Sequence, residues 1–210
     1  MATVQEVHEV LGERFIHPVD ILPFIDDLPW VADHLDRHDD LPFTEDELPE
    51  LADRYPGFVL MPQLPINIVR WFLLSDKFGW GIKCFKDWLR SEVECFRSVT
   101  FPANWHWVGI NPMERSRKKT FQEQLEHARS KHQVIPYAAD ALIAATLLRE
   151  LRGIDIGEGE VMRTASTFDW LAGETRRVLL RSCPKEGIGL RTGVSDNQRR
   201  RPVMATRRLP

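Results

Sequence analysis

The sequence predicts an α+β protein, with a helical N-terminal two-thirds followed by a small C-terminal antiparallel sheet. Three observations carry this. Up to Gly153 the apolar residues recur mainly at helical spacing. After Gly153 the texture changes to short β-like runs, "VMRTAST", "RRVLLRS", "GIGLRT" and "PVMATRR", separated by turn residues such as Cys183-Pro184, Glu186-Gly187 and Asp196-Asn197. Helices and strands in separate blocks, rather than alternating, point to an antiparallel sheet.

Taken in order, residues 3–11 read as a short helix, with Val4, Val7 and Leu11 on one face. A repeated unit of acid, Leu, Pro and aromatic follows: "DILPF" at 20–24, "DDLPW" at 26–30 and "DDLPF" at 39–43. Proline is pre-organised for a first helical position and loses no needed N–H there, so a short helix is expected to start at Pro29. Asp26 and Asp27 then lie at the positive end of its dipole. Thr44 and Glu47 have capping-box spacing, though Pro49 makes a start near Pro49 an equal alternative. The units therefore punctuate short helices, with Phe24, Trp30 and Phe43 as anchors. They staple either onto the body of the protein or onto a partner.

"YPG" closes this segment and "MPQLPINIVRWFLL" begins the main body. "IKCFKDWLRSEVECFR" is read as an amphipathic helix, set off from the preceding segment by Gly79 and Gly81. "NWHWVGI" at 104–110 alternates and is expected to be a strand, bracketed by Pro102 and Pro112. "KKTFQEQLEHARSKH" is a helix with Thr120 and Glu123 as a capping box and Phe121, Leu125 and Ala128 on one face. Pro136 opens and Gly153 stops the next helix, in which only Asp140 and Thr146 are polar between Ala138 and Leu148. So apolar a helix is expected at the centre of the fold.

Net charge is −3 overall, but the distribution is polarised. Residues 1–60 hold 15 acids and 3 bases, residues 61–153 hold 9 acids and 14 bases, and residues 154–210 hold 7 acids and 11 bases. These boundaries suggest an acidic Leu-Pro-rich segment, a mainly helical core and a basic β region that cooperates with the core. Such polarity implies either an internal electrostatic match or surfaces for different partners. Six arginines stand against one aspartate after position 190. Arginine's planar fork suits bidentate contact with carboxylate or phosphate. The expected partner-binding residues are Arg177, Arg181, Arg191, Arg199, Arg200, Arg201, Arg207 and Arg208, with Phe24, Trp30 and Phe43 in the acidic segment. In "RRVLLRS", Arg177, Leu179 and Arg181 should share one face of a strand.

Catalytic and cofactor chemistry finds little support. Three cysteines, none in a CxxC pair, argue against a disulfide framework or a cysteine zinc site. Cys84 and Cys95 on one helix would lie about 16 Å apart, beyond the roughly 7 Å that a disulfide spans. His34 and His38 have helical spacing for a metal, but no third ligand is indicated, and they read as solvated polar residues. His127 and His132 diverge around a helix. His106 should point away from Trp105 and Trp107 and act as a structural hydrogen-bonder. "GIDIGEGE" is glycine-rich but acidic and would repel phosphate, and no phosphate-loop or nucleophile-elbow motif occurs. Ser166 and Thr167, after Arg163, lack an assigned base. No catalytic residue, metal site or cofactor is expected.

The layout from "KKTFQEQLEHARSKHQVIPYAADALIAATLLRELRG" through "VMRTAS" to "GIGLRT" and "VMATRRLP" resembles a loose group of uncharacterised bacterial proteins. Their pattern is a Lys-Thr-aromatic helix, a Pro-started alanine-rich helix, an Arg-Thr-Ser strand and a final basic strand. This chain departs from it in "RTAS" and in the "RRR" before the last strand. The resemblance implies no activity and transfers no site residue. The N-terminus lacks a basic and apolar leader, which points to the cytoplasm. The expected function is therefore a non-enzymatic interaction or adaptor protein with a protein partner. A nucleic-acid-associated subunit of a bacterial ribonucleoprotein or defence assembly is the alternative, a hydrolytic enzyme comes third, and no membrane partner is expected.

Overall fold

The computed structural model describes residues 2–35, 41, 43–83, 105–170, 174–183, 185, 187–193, 196, 201–204 and 206–208. The helix expected over 82–96, with Cys84 and Cys95, lies almost wholly outside the described residues, as do His38, Arg199 and Arg200. His34 stands on a described helix, but its side chain is not among those described.

The protein is α+β, with two antiparallel sheets rather than one. Helices α1 (Val4–Leu11), α2 (Pro18–Ile21), α3 (Pro29–Leu35) and α4 (Glu47–Arg54) precede strand β1 (Phe58–Pro62). Helix α5 (Ile68–Phe78), strand β2 (Trp105–Gly109), helices α6 (Phe121–Ser130) and α7 (Ala138–Arg152), and strands β3 (Val161–Trp170), β4 (Glu174–Cys183), β5 (Gly187–Thr192) and β6 (Thr206–Arg208) follow. The first sheet has order β1-β2-β6 and the second β3-β4-β5. The last strand thus leaves the C-terminal sheet and joins one that begins at residue 58, which corrects the expected division into a helical part and a single C-terminal sheet. Among the described residues no helix is long and apolar enough to cross a membrane.

Local chemistry sets most helix ends. The Thr3 hydroxyl accepts from the Glu6 amide, and Glu6 Oε2 accepts from the Thr3 amide at 2.6 Å. Helix α4 starts at Glu47, whose Oε2 accepts from the Thr44 amide at 2.8 Å. Pro49 is tolerated in its first turn, where an amide N–H would have no intrahelical acceptor. Thr120 and Glu123 form the expected box on α6. Gly79 and Gly153 end α5 and α7 in the left-handed conformation.

The first two of these boxes make a pH prediction. Hydrogen bonds from the Thr3 and Thr44 amides, then from their hydroxyls, hold the Glu6 and Glu47 carboxyls below the usual glutamate range. A carboxyl whose folded pKa is depressed stabilises fully above its unfolded pKa and loses that contribution as pH falls through the folded value. An NMR titration of the Thr3 and Thr44 amides should therefore show midpoints below about 4.3, the free glutamate value. Midpoints at or above that value would show that the boxes do not form in solution.

Helix α7 occupies the centre, and its residues 138–148 are all buried. It shares the main hydrophobic cluster with Val59, Met61 and Val108 of the first sheet and with Val178, Leu180, Ile188 and Leu190 of the second. From α5, buried Trp71 donates its indole N–H to the Thr146 hydroxyl at 3.2 Å. A second cluster lies on the other face of the first sheet, where Leu60, Trp105 and Trp107 meet Val7, Phe15, Leu41, Phe43 and Leu48.

The acidic segment packs on the body. Ile21, Ile25, Leu28, Val31 and Leu35 enter the main cluster, and Leu41, Phe43 and Leu48 the second. Phe24 meets Phe78 and Trp80 edge-on at centroid distances of 5.4 and 5.2 Å. Phe43 is 4% exposed, whereas Trp30 is 46% exposed. Burial removes Phe43 from any partner surface and turns Phe24 inward, so of the three expected anchors only Trp30 presents its ring to solvent. The prolines explain the repeat: Pro29 opens α3 and Pro23 sits in a single 3-10 turn, each folding a leucine back onto the core.

Candidate functional site: the basic face of the second sheet

Strand β4 pairs with β5 so that Arg181 stands opposite Gly189 and Leu179 opposite Arg191. Side chains of one strand alternate in direction, so Arg177, Leu179 and Arg181 share a face with Gly189 and Arg191. Val178, Leu180, Ile188 and Leu190 point the other way, into the main cluster. The expected arginine face therefore exists, but its members are not equally available.

Arg177 is held within the protein. Its guanidinium makes a bidentate pair with Asp196, at 2.7 and 2.9 Å, and lies 3.7 Å from the centroid of the Phe121 ring. It also donates to the Ala165 carbonyl. Arg163, on β3, is fully buried and donates to Gln124 Oε1 at 3.0 Å. Burial pulls its pKa below the usual arginine value; Asp196 opposes this, and Arg177 and Arg201 add to it. Three guanidinium groups around one carboxylate form a structural cluster at this end of the sheet.

At the opposite end, Arg181, Arg191 and Lys83 surround a shallow depression floored by Gly187 and Gly189. Lys83 arrives as a short bridge on the β5 edge: its amide donates to Ile188 O at 2.7 Å, and its carbonyl accepts from Leu190 N at 3.0 Å. A Cβ on Gly189 would stand 2.9 Å from that carbonyl oxygen, so the close approach requires glycine there. Arg181 is half-buried and donates to Gly159 O at 3.3 Å, while Lys83 and Arg191 are exposed.

Arg201 is also exposed, and its carbonyl accepts from Gln124. Arg207 and Arg208 lie on β6, opposite Trp107 and His106 in the first sheet. The Arg-rich C-terminus is thus divided between two sheets and does not form one surface, because the chain changes sheets before residue 206. The acidic segment finds bases elsewhere. Asp20 meets Arg152 at 2.8 Å, and Asp26 and Asp27 meet Lys77. The hydrogen bond from Lys77 to Asp27 is the main cause raising the Lys77 pKa.

Other sequence candidates fall into structural places. Ser166 is buried and its hydroxyl accepts from the Ala138 amide at 2.9 Å, capping α7. His127 Nε2 bonds to the Glu114 carbonyl at 2.8 Å, and His132 is an exposed turn residue with φ of 54°. Cys183 is a free thiol. Among the described residues no group of three His, Cys, Asp or Glu side chains is placed to hold a metal ion. His106 does point away from Trp105 and Trp107, which lie in the second cluster. It lines a cavity with Gln63, Asp140 and Thr206, which the sequence reading did not group together. These four come from distant stretches of chain, and no motif spacing could have joined them.

No protein-family model matches this chain, and no curated protein matches it.

Proposed function

We propose that this is a non-catalytic interaction protein that recognises an acidic protein partner through Lys83, Arg181 and Arg191. The observation that supports it is the convergence of these three cations on a strand edge floored by Gly187 and Gly189. Small residues there let a partner's carboxylates approach the cations. Arg177 is engaged with Asp196 and serves to stiffen the sheet beneath. Trp30, exposed on α3, would supply an apolar contact where a partner reaches the acidic half of the molecule. A cytoplasmic location is part of this proposal.

The test uses the full chain with three fluorescent probes at about 50 mM salt: a short poly-glutamate peptide, a short single-stranded RNA and a DNA duplex. The peptide is expected to bind, and Lys83→Glu with Arg191→Glu is expected to weaken it about tenfold, each exposed pair contributing up to about 1 kcal/mol. Thermal stability should stay unchanged, because both side chains are exposed. Nucleic acid binding without peptide binding would replace this reading with the ribonucleoprotein one. In that case log affinity for the duplex should fall with log salt at about −0.9 per phosphate neutralised. No binding to any probe would remove both.

A further inference from the structure

A cavity of about 330 Å³ opens where β2 and β6 meet the end of α6, the 133–137 segment and the first turn of α7. Its inner end is polar and built from buried side chains: Gln63 is 2% exposed, Thr206 4%, His106 5% and Asp140 7%. Gln63 Nε2 donates to Asp140 Oδ1 at 3.1 Å. Gln63, His106 and Asp140 also line a smaller neighbouring void, so they form the partition between the two spaces. The side walls are apolar, from Leu125, Ala128, Ile135 and Ala165. Exposed Arg129 and Tyr137 stand at the mouth.

Two charges of opposite sign therefore mark the cavity, one deep and one shallow. Among the described lining residues Asp140 is the sole carboxylate and Arg129 the sole guanidinium. A carboxylate drawn this far from water favours a cationic donor as its partner. A simple anion entering the cavity would be repelled by Asp140, and a simple amine would leave Arg129 unused. The volume is near the lower end of the roughly 300–1,000 Å³ typical of small-molecule sites, too small for a nucleotide with its phosphates or for a folded peptide.

We propose that this cavity binds a small zwitterion of the amino-acid type. Its ammonium group sits on Asp140, its carboxylate faces Arg129, and an apolar side chain lies against the Leu125–Ile135 wall. His106 and Thr206 orient the ligand from the first sheet, and Gln63 fixes the Asp140 carboxylate. The site is separate from the basic face and does not depend on the partner proposed there.

Calorimetry and ligand-induced thermal shift on the full chain test this with the standard L-amino acids as probes. L-leucine is then compared with 3-methylbutylamine, which lacks the carboxylate, and 4-methylpentanoate, which lacks the ammonium. An apolar L-amino acid should bind, and both single-charge analogues should bind more weakly. Arg129→Gln should weaken the amino acid by about tenfold to a hundredfold, the range for a lost charge-assisted hydrogen bond, and leave the amine unaffected. Asp140→Asn keeps an oxygen for Gln63 and should abolish binding. Should that variant fail to fold, Arg129→Gln decides alone, since its side chain is exposed. The proposal is overturned if no amino acid binds at millimolar concentration. It is equally overturned if 4-methylpentanoate binds as well as leucine, or if Arg129→Gln weakens amine and amino acid alike.

Discussion

Replacing Trp71 with alanine is expected to destabilise the protein by about 3 to 5 kcal/mol, the range for truncating a buried aromatic. Trp71 is fully buried in the main cluster, packs against Trp80 at a centroid distance of 5.3 Å, and donates to the Thr146 hydroxyl of the central helix. The variant loses the ring, leaves a cavity against α7 and removes the donor on Thr146. For a chain of this length the melting temperature should drop by roughly 10 °C. Trp30→Ala is the control, and should cost less than about 1 kcal/mol because nearly half its surface already meets water. Chemical denaturation of both variants checks the pair. Equal losses would mean that Trp30 is covered in solution, as an interface residue would be.

Gln124→Leu should produce a loss of similar size, about 3 to 5 kcal/mol, by a different mechanism. The Gln124 amide is fully buried and bridges three groups. Its Nε2 donates to the carbonyls of Ser116 and Arg201, each at 2.7 Å, and its Oε1 accepts from the buried Arg163 guanidinium. Leucine fills nearly the same volume but strips an acceptor from a desolvated cation and strands two carbonyls. Arg163→Met alone should also be costly. The double variant should be more stable than the sum of the two losses predicts, since it removes the cation together with its acceptor. Additive losses in a denaturation cycle would show that Gln124 and Arg163 do not act as a unit.

Much of the fold was legible in short-range chemistry. The Thr3–Glu6 and Thr120–Glu123 boxes, Pro29, and the glycines after α5 and α7 marked helix boundaries that the structure adopts. Strands β2 to β6 followed from β-branched runs broken by turn residues. Strand β1 did not, because it is buried on both faces and so shows no alternation of apolar and polar residues. Its neighbours "YPG" and "MPQLP" read instead as the end of one segment and the start of another.

The candidate sites were less legible. The shared direction of Arg177, Leu179 and Arg181 followed from strand period alone. Which arginine would be available did not, because Asp196 and Phe121 come from remote positions to occupy Arg177. The cavity was invisible to spacing arguments. His106 reaches it as the inward residue between two outward tryptophans, and Asp140 as one of two polar residues in an apolar helix.

By itself, the sequence determined the α+β class, the helix ends, the centrality of α7 and the polarity of charge, since these depend on propensity, capping and composition within a few residues. Only the tertiary structure decided that β6 would cross to the first sheet, that the acidic segment would pack on the body, and that Gln63, His106, Asp140 and Thr206 would share a cavity. Those outcomes depend on which distant surfaces bury each other, and burial is a property of the assembled chain: Phe43 and Trp30 follow the same Leu-Pro step, yet one is core and the other faces water.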